Sequence, residues 1–413
     1  MNKNQLAITK IIEDDVKKAV YNALELINAQ ELFKKPDLKV LLKPNILGAK
    51  EPKKAVTTHP EVLRAVIQWV KQFKPEKIIV AESSGTQKRG ATEEAFEVSG
   101  LKKVCEEEKI EWTTFAKTPR KKYAIENPLI LEEVVSSSLL EEVDLIINLP
   151  KIKTHGQCTL TCCIKNMFGT LILGNKAQTH ATYPTLEKFS SALADIYSVS
   201  NPQLTIIDGF YGMEGNGPSA GDIVKMDIIL AGYDPVALDT LVCKIVDFNP
   251  KDIIHVQKAE QRGLGSSDLS KYEIHGDPIK SVKRKFKKPK THMVSLPLPK
   301  SIAEYVGRVI FKSTIKFDKD KCKLCGTCWK NCPVNAISPP AELKQGEFIP
   351  KWDKNKCITC YCCAELCPYE AVDFKINFVK NVATSWLGIF ALGIIIFLVY
   401  GIVTLIIWMI SLF

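Results

Sequence analysis

The sequence predicts three structural parts: an α/β domain with a mixed, mostly parallel sheet, a small α+β domain, and one C-terminal transmembrane helix. At 413 residues the chain is too long for one ordinary core. Three observations support this division. Buried strands alternate with helices over residues 1–275, nine of the 14 cysteines fall within residues 322–367, and residues 386–413 carry no charge.

The first part is typical of a sheet that helices cover on both faces. Apolar runs such as "VLLKPNIL", "KIIVAESSG" and "DLIINLPKIKTH" each end in a polar loop, as buried strands do. Between them, "TTHPEVLRAVIQWVKQF" offers Thr58 as a helix cap, with Pro60 in the first turn. This alternation predicts an α/β domain over residues 1–275, with its core at 35–265.

Polar side chains recur where these strands end, and ligands of α/β sheets bind at such strand ends. We predict that six of them bind a cofactor: Lys43, Asn45, Ser83, Ser84, Asp208 and Glu214. The alternative interpretation is that they only form turns. The glycine-rich stretch "DGFYGMEGNGPSAGD" lacks the spacing of a dinucleotide site, so NAD is not predicted.

The stretch "HGQCTLTCCIKNMFG", residues 155–169, gathers titratable side chains around one predicted loop. Together with two lysines just before it, this stretch favours an anionic substrate such as a carboxylate or phosphate. A pair of histidines near a lysine can also transfer protons near neutral pH. The predicted catalytic residues are therefore His155, Lys165 and His180.

The same stretch contains three cysteines, Cys158, Cys162 and Cys163. Their C-x3-C-C spacing is not a standard metal-ligand spacing. Free cysteine is commonly a small buried apolar residue, so packing is the favoured interpretation for all three.

Two copies of the run C-x2-C-x2-C-x3-C-P follow, "CKLCGTCWKNCP" and "CITCYCCAELCP". This run binds cubane iron–sulfur clusters, and the fourth cysteine of each copy ligates the other cluster. We predict two [4Fe-4S] clusters, one held by Cys322, Cys325, Cys328 and Cys367, the other by Cys357, Cys360, Cys363 and Cys332. Zinc is the alternative, but zinc sites usually combine two C-x2-4-C motifs and do not repeat this eight-cysteine pattern. Cys362 is out of register and is predicted to be a packed thiol.

Residues 276–316 are predicted to be a basic, proline-containing linker to a cluster domain at 317–378. The run "KRKFKKPK" holds much of the formal net charge of +10. It lacks the interleaved aromatic residues of nucleic-acid sites, so no nucleic-acid partner is expected. The N-terminus has no signal peptide, and the cysteines have metal-ligand spacing, which together indicate a reducing cytoplasm.

Residues 386–413 are 28 residues without a charge, and a helix needs roughly 20 apolar residues to cross a bilayer. Trp386 and Trp408 fall near the two ends, and Lys375 and Lys380 precede the span. This pattern predicts a single-pass cell-membrane protein whose body lies on the cytoplasmic side.

Residues 315–375 resemble the bacterial two-cluster ferredoxins, which implies one-electron transfer between closely spaced clusters. Upstream, "VLLKPNIL", "TTHPEVLRAVI", "INLPKIKTH", "IKNMFGTL" and "ILAGYDPVALD" together resemble the family known as domain of unknown function 362, over residues 35–265. In that family a ferredoxin segment often follows this domain. The resemblance implies the fold and an iron–sulfur context, without a particular reaction.

The order of His155, Lys165 and His180 is also similar to the catalytic domain of the nickel-pincer lactate racemases. In that family a lysine carries the pyridinium cofactor, and histidines serve the metal and proton transfer. The resemblance implies that Lys165 would anchor or contact a ligand, and that the two histidines would act as an acid/base pair or as ligands. A further histidine of that family is missing after "VAESSG".

The favoured hypothesis is a membrane-tethered, ferredoxin-type oxidoreductase. Its two clusters would pass electrons to an anionic organic substrate or cofactor in the α/β domain, and a partner protein would donate or accept electrons. One alternative is a non-catalytic electron-transfer or cofactor-handling subunit that docks a partner. An isomerase related to the lactate racemases is the other, although racemisation needs no net electrons and would leave the clusters idle.

Overall fold

The computed structural model describes residues 2–86, 89–172, 174–289 and 313–376. Met1–His292 and Phe317–Val372 form one compact unit, whereas Met293–Lys316 and Asp373–Phe413 form a second. The described residues of the second unit belong to two strands that pair with each other.

Among the described residues, ten strands form one mixed sheet, and the remaining strands form two-stranded ribbons. In chain order the strands are β1 (Gln5–Lys10), β2 (Lys39–Pro44), β3 (Lys77–Glu82), β4 (Glu111–Thr114), β5 (Arg120–Ala124), β6 (Glu133–Ser137), β7 (Leu145–Leu149), β8 (Lys151–His155), β9 (Thr159–Thr161), β10 (Leu204–Glu214), β11 (Asp222–Gly232), β12 (Glu273–Gly276), β13 (Ser313–Phe317), β14 (Ile337–Ser338), β15 (Lys351–Trp352) and β16 (Val372–Ile376).

The main path of the sheet runs β12-β1-β11-β10-β7-β2-β3-β4, and β8 joins β10 and β9 beside this path. The described helices are α1 (Val16–Leu26), α2 (Pro60–Lys71), α3 (Ala91–Val98), α4 (Leu101–Glu107), α5 (Leu139–Glu142), α6 (Cys163–Asn166), α7 (Gly174–Thr182), α8 (Leu186–Ser200), α9 (Pro235–Ile245), α10 (Ile254–Gln261), α11 (Ile279–Val282), α12 (Thr327–Lys330) and α13 (Cys362–Glu365).

Strands β2, β3 and β7 are buried along almost their whole length because helices cover both faces of the sheet. Val40 and Leu42 of β2 lie in the apolar core that also contains α1, α2 and α4. Leu41, between them, lies in the opposite core with α8, α9 and α10. Since β7, β2, β3 and β4 are successive parallel neighbours, the predicted α/β fold with a mostly parallel mixed sheet is confirmed.

The long strand β10 changes its partner along its length. Leu204 and Thr205 pair with β7, whereas Asp208 and Met213 pair with β8. In its pairing with β11, β10 has a register shift between Gly209 and Tyr211, and a methyl group at Gly209 would lie 2.6 Å from Ile228 Cγ1, so the two strands approach closely. Strand β8, the second partner, ends at His155, which is one of the predicted catalytic histidines.

The cap of α2 differs from the prediction. His59 Nδ1 accepts a hydrogen bond from Glu61 N at 3.3 Å. Thr58, the predicted cap, donates from Oγ1 to Leu149 O and accepts from Asn45 N, both at 2.7 Å. Thr58 therefore ties the end of β2 to the end of β7.

Residues 317–372, here called the cysteine module, belong to the same compact unit as the α/β domain. Lys50 Nζ donates a hydrogen bond to Pro368 O at 3.0 Å. A methyl group at Gly85 would lie only 2.8 Å from Leu366 Cδ2, so the loop after β3 approaches the module closely. The module thus packs against the edge of the sheet at which the parallel strands end.

The predicted single-pass membrane location is corrected. Within the part of the chain that the structure describes, no helix is long and apolar enough to cross a membrane. The longest described helix, α8, has 15 residues, whereas a span needs roughly 20. The segment 386–413, on which the prediction rested, lies outside the described residues.

Gly169 offers a test of the packing at this edge of the sheet. A methyl group there would meet Glu82 Oε1 and lie 2.7 Å from Lys43 Nζ, two atoms of a fully buried ion pair. We expect Gly169→Ala to lower the free energy of unfolding by about 1–3 kcal/mol, as over-packing does. Anaerobic urea unfolding followed by circular dichroism measures this.

Gly48→Ala is the matched control, because an added methyl group there meets nothing within 4 Å. Equal stability of the two variants would contradict the packing described at Gly169.

Candidate functional site

A cavity of about 90 Å³ lies between the strand ends of the α/β domain and the cysteine module. Lys165 and His180 line it from the α/β side, and Cys362 and Glu365 line it from the module. The parallel strands β3 and β8 both end here, which is where α/β sheets bind ligands. The cavity is therefore composite, because side chains of both parts of the chain form its wall.

Lys165 enters the cavity from the short helix α6. The carboxylate of Asp239 caps this helix by accepting hydrogen bonds from Cys163 N at 2.8 Å and Ile164 N at 3.2 Å. Lys165 Nζ lies 5.5 Å from the ring centre of Phe168. Within the described residues it has no hydrogen-bond or ion-pair partner, so its positive charge is available to a ligand.

His155, the last residue of β8, is 1% exposed. Its Nδ1 accepts hydrogen bonds from Gln157 N at 3.0 Å and Cys158 N at 3.2 Å, which places the proton of the neutral ring on Nε2. Burial, followed by the charge of Lys165, holds the pKa of His155 well below its usual value, so the ring is neutral near pH 7.

Glu365 of the cysteine module faces this ring. Its Oε1 lies 3.2 Å from His155 Nε2, but the contact lacks hydrogen-bond geometry, and neither atom has another hydrogen-bond partner in the described ranges. Burial raises the pKa of Glu365 to about 7. Two buried polar atoms at the cavity wall thus keep unused hydrogen-bonding capacity, which indicates a ligand site.

His180 is held by aromatic rings. It stacks on Phe189 with ring centres 4.2 Å apart and meets Phe168 edge-on at 5.5 Å. Burial, then the charge of Lys165, lowers the pKa of His180 to about 3, so this ring is neutral as well. A flat neutral surface therefore lies beside the ammonium group of Lys165.

Two more lysines line the cavity and bond only to neutral oxygen atoms. Lys153 Nζ donates to Asn45 Oδ1 and Val56 O, each at 2.7 Å. Lys176 Nζ donates to the backbone oxygens of Ser83 and Ser84. Burial lowers the pKa of each lysine to about 7, because neither has a carboxylate partner that offsets the loss of water.

The predicted cofactor-binding residues fall into two groups. Asn45 and Ser83 line the cavity. The other four lie outside its lining and have partners elsewhere: Lys43 pairs with Glu82, Ser84 bonds to Thr92, Asp208 pairs with Lys151, and Glu214 accepts from Lys287 N. Whether any of the six binds a cofactor stays a prediction.

The cysteines of the module lie close to one another, and their division into the two predicted ligand sets stays a prediction. Burial, followed by the nearby charges of Cys325, Cys367 and Cys322, raises the pKa of Cys328 to about 12. Burial and the charges of Cys360, Cys357, Cys328 and Cys332 raise that of Cys363 well above its usual value. Each run is thus close to the last cysteine of the other run.

Backbone hydrogen bonds to the last cysteine of each run also fit a cluster-binding role. Ala336 N lies 3.2 Å from Cys332 Sγ, and Ala371 N lies 3.3 Å from Cys367 Sγ, so each final cysteine accepts a backbone hydrogen bond four residues on. Such bonds stabilise thiolate sulfur, the form that ligates iron. Cys362 is buried and contributes to the cavity wall.

Lys176, Cys362 and Glu365 are among the residues of the cavity wall that sequence reasoning missed. Lys176 is one of many lysines, and its burial on α7 follows from tertiary packing that the sequence pattern does not show. Glu365 falls inside a cysteine run whose spacing already explains its neighbours. Its direction toward the α/β domain is a consequence of tertiary packing.

Comparison with known proteins finds a matching family model for the α/β domain and another for the cysteine module. Residues 40–244 match the family described as domain of unknown function (DUF362), and residues 321–371 match the 4Fe-4S dicluster domain. A thylakoid-associated protein of Synechocystis sp. is 30% identical over 242 residues, which cover 58% of this chain and 73% of that protein.

Two solved structures are more distant. The lactate racemase apoprotein from Thermoanaerobacterium thermosaccharolyticum has a TM-score of 0.38 at 14% identity, covering 63% of this chain and 56% of that one. A protein from Thermotoga maritima has a TM-score of 0.34 at 13% identity, covering 64% and 60%. The chain thus spans less than two thirds of either structure, and the roles suggested by the racemase resemblance stay predictions.

An α/β domain joined to a dicluster module defines the class: an iron–sulfur protein of the electron-transfer type, with two [4Fe-4S] clusters as its cofactors. Within this class the chain belongs to the DUF362 family.

The ligand sets can be tested with two adjacent cysteines. Cys363→Ala removes a predicted ligand, and we expect its iron and sulfide contents to fall to about half of the eight each that two cubanes contain. Cys362→Ala, the matched control, should keep the full content. Metal analysis of anaerobically purified protein measures both, and equal losses would contradict the ligand sets.

Lys176 makes the stability depend on pH. Its pKa is about 7 in the folded protein against 10.5 for a free lysine, so above pH 7 the unfolded chain binds the extra proton and stability rises with pH. We expect Lys176→Met to reduce the rise in apparent Tm between pH 7 and 9. The exposed Lys103→Met should leave that rise unchanged, and an unchanged rise in Lys176→Met would contradict the assigned burial.

Proposed function

We propose that this protein is an iron–sulfur reductase that transfers electrons from its clusters to a small organic anion bound in the cavity. The observation that carries the proposal is the composite wall of the cavity. Lys165, which forms no ion pair within the described residues, faces a space that Cys362 also lines, and Cys362 is the neighbour of a predicted cluster ligand.

The charges at the cavity support an anionic substrate. A half-buried ammonium such as that of Lys165 attracts a carboxylate or phosphate more strongly than an exposed one does, because little water screens it. Lys153 and Lys176 add hydrogen donors at the same wall. The nearby rings of Phe168 and His180 favour a flat, conjugated anion over a branched one.

The histidine geometry supports a role in proton supply. His155 keeps its hydrogen on Nε2, which lines the cavity and can donate to oxygen as negative charge develops there. Reduction of a polar double bond consumes two electrons and two protons. Each [4Fe-4S] cluster passes one electron at a time, the electrons originate from a low-potential one-electron carrier protein, and the protons come from solvent through such side chains.

Oxidation of the reduced clusters tests this proposal. Anaerobic protein, reduced with dithionite and then freed of it, is mixed with a panel of probes that includes pyruvate, fumarate and crotonate. We expect at least one probe to reoxidise the clusters, and Lys165→Ala to slow that reaction about 100-fold, the cost of losing one key electrostatic contact. The spectrum of the reduced clusters should stay unchanged.

Two controls distinguish a loss of substrate binding in Lys165→Ala from damage to its clusters. Methyl viologen, which needs no binding site, should oxidise the wild type and Lys165→Ala at equal rates, and the surface variant Lys103→Ala should behave as the wild type. Equal reactivity of Lys165→Ala with the anions, or no reaction with any anion, would contradict the reductase and favour a non-catalytic electron-transfer subunit.

A further inference from the structure

Four carboxylates are fully buried among the described residues, and three of them lie beside a cation. The pairs are Glu82 with Lys43, Asp208 with Lys151, and Asp195 with Arg262. Asp239 is the fourth, and no lysine, arginine or histidine in the described ranges forms an ion pair with it. A buried carboxylate without a counter-charge is costly, so this position favours a cation from elsewhere.

The groups that face Asp239 are two thiols. The sulfur atoms of Cys162 and Cys163 lie 3.9 Å apart, and each offers a ligand atom within 4.8 Å of the others and of the Asp239 carboxylate. All three side chains are fully buried. Two backbone N–H groups and the two thiols donate hydrogen bonds to Asp239, but none of these donors carries the positive charge that would balance the carboxylate.

We propose that Cys162, Cys163 and Asp239 form a structural zinc site, separate from the iron–sulfur clusters. With Zn–S bonds of about 2.3 Å, sulfurs 3.9 Å apart subtend an angle of about 116° at the metal, close to the tetrahedral value. A linear ion between two thiolates would need a wider separation. Two thiolates and both carboxylate oxygens complete four ligands, which leaves no open position for catalysis.

Binding of zinc displaces the protons of both thiols and supplies the positive charge that the buried carboxylate of Asp239 lacks. Burial raises the pKa of Cys162 to about 11 and that of Asp239 to about 6, so near pH 7 without a cation this thiol holds its proton while Asp239 is mainly a carboxylate. Because the site is fully buried, zinc enters as the chain folds. The metal would fasten α6, which carries Lys165, to α9, which carries Asp239.

Metal analysis of the full-length protein tests the site. Protein purified anaerobically from zinc-supplemented cells should contain one zinc beside about eight irons. X-ray absorption at the zinc edge should show two sulfurs at about 2.3 Å and two oxygens at about 2.0 Å. This measurement needs no variant, so it holds even where a substitution prevents folding.

The double variant Cys162→Ala, Cys163→Ala should lose the zinc and keep its iron. Cys105→Ala, at a buried cysteine in the opposite core, is the matched control and should keep both metals. Absence of zinc from protein with full iron content, a shell of four sulfurs, or zinc retained by the double variant would each overturn the proposal. Loss of reductase activity alone would not, because the site is identified by its metal.

Discussion

The charged side chains at the strand ends of this domain are buried away from water, so each charge needs a partner that offsets its lost hydration. A buried ion is costly unless an opposite charge or several hydrogen bonds offset the lost hydration. Two fully buried pairs meet that requirement, Lys43 with Glu82 and Lys151 with Asp208. Lys153 has only neutral oxygen partners, and Lys165 has none in the described ranges. The lysines without an ion-pair partner thus lie together at one edge of the sheet, near the carboxyl group of Glu365.

The cysteine module packs at that same edge, so both parts of the chain line one cavity. A dicluster module by itself transfers electrons without selecting a substrate, and a cationic cavity by itself has no source of electrons. With Glu365 3.2 Å from His155 and Cys362 in the cavity wall, an anion held by Lys165 would lie beside the cluster-binding loops. Under the proposed function, no further electron carrier would be needed between cluster and substrate.

The sequence was sufficient for features that depend on local pattern. Alternating apolar runs such as "VLLKPNIL" predicted the parallel strands, and the spacing of the cysteines predicted the clusters. It was insufficient where distant segments meet. Asp239 is about 76 positions from Cys163, and Glu365 is far from His155, so neither contact has a signature in spacing. The membrane location rested on hydropathy outside the described residues, and the helices within them do not support it.

The most direct test of the composite cavity is the effect of the clusters on the histidine rings. The chain has six histidines, so selective ¹⁵N labelling of this residue gives few signals. Reduction makes the clusters paramagnetic, and paramagnetic broadening falls steeply with distance. We expect the signals of His155 and His180 to broaden strongly on reduction, while that of His275, on the edge strand β12, persists. Signals of His155 and His275 that respond equally would contradict the account.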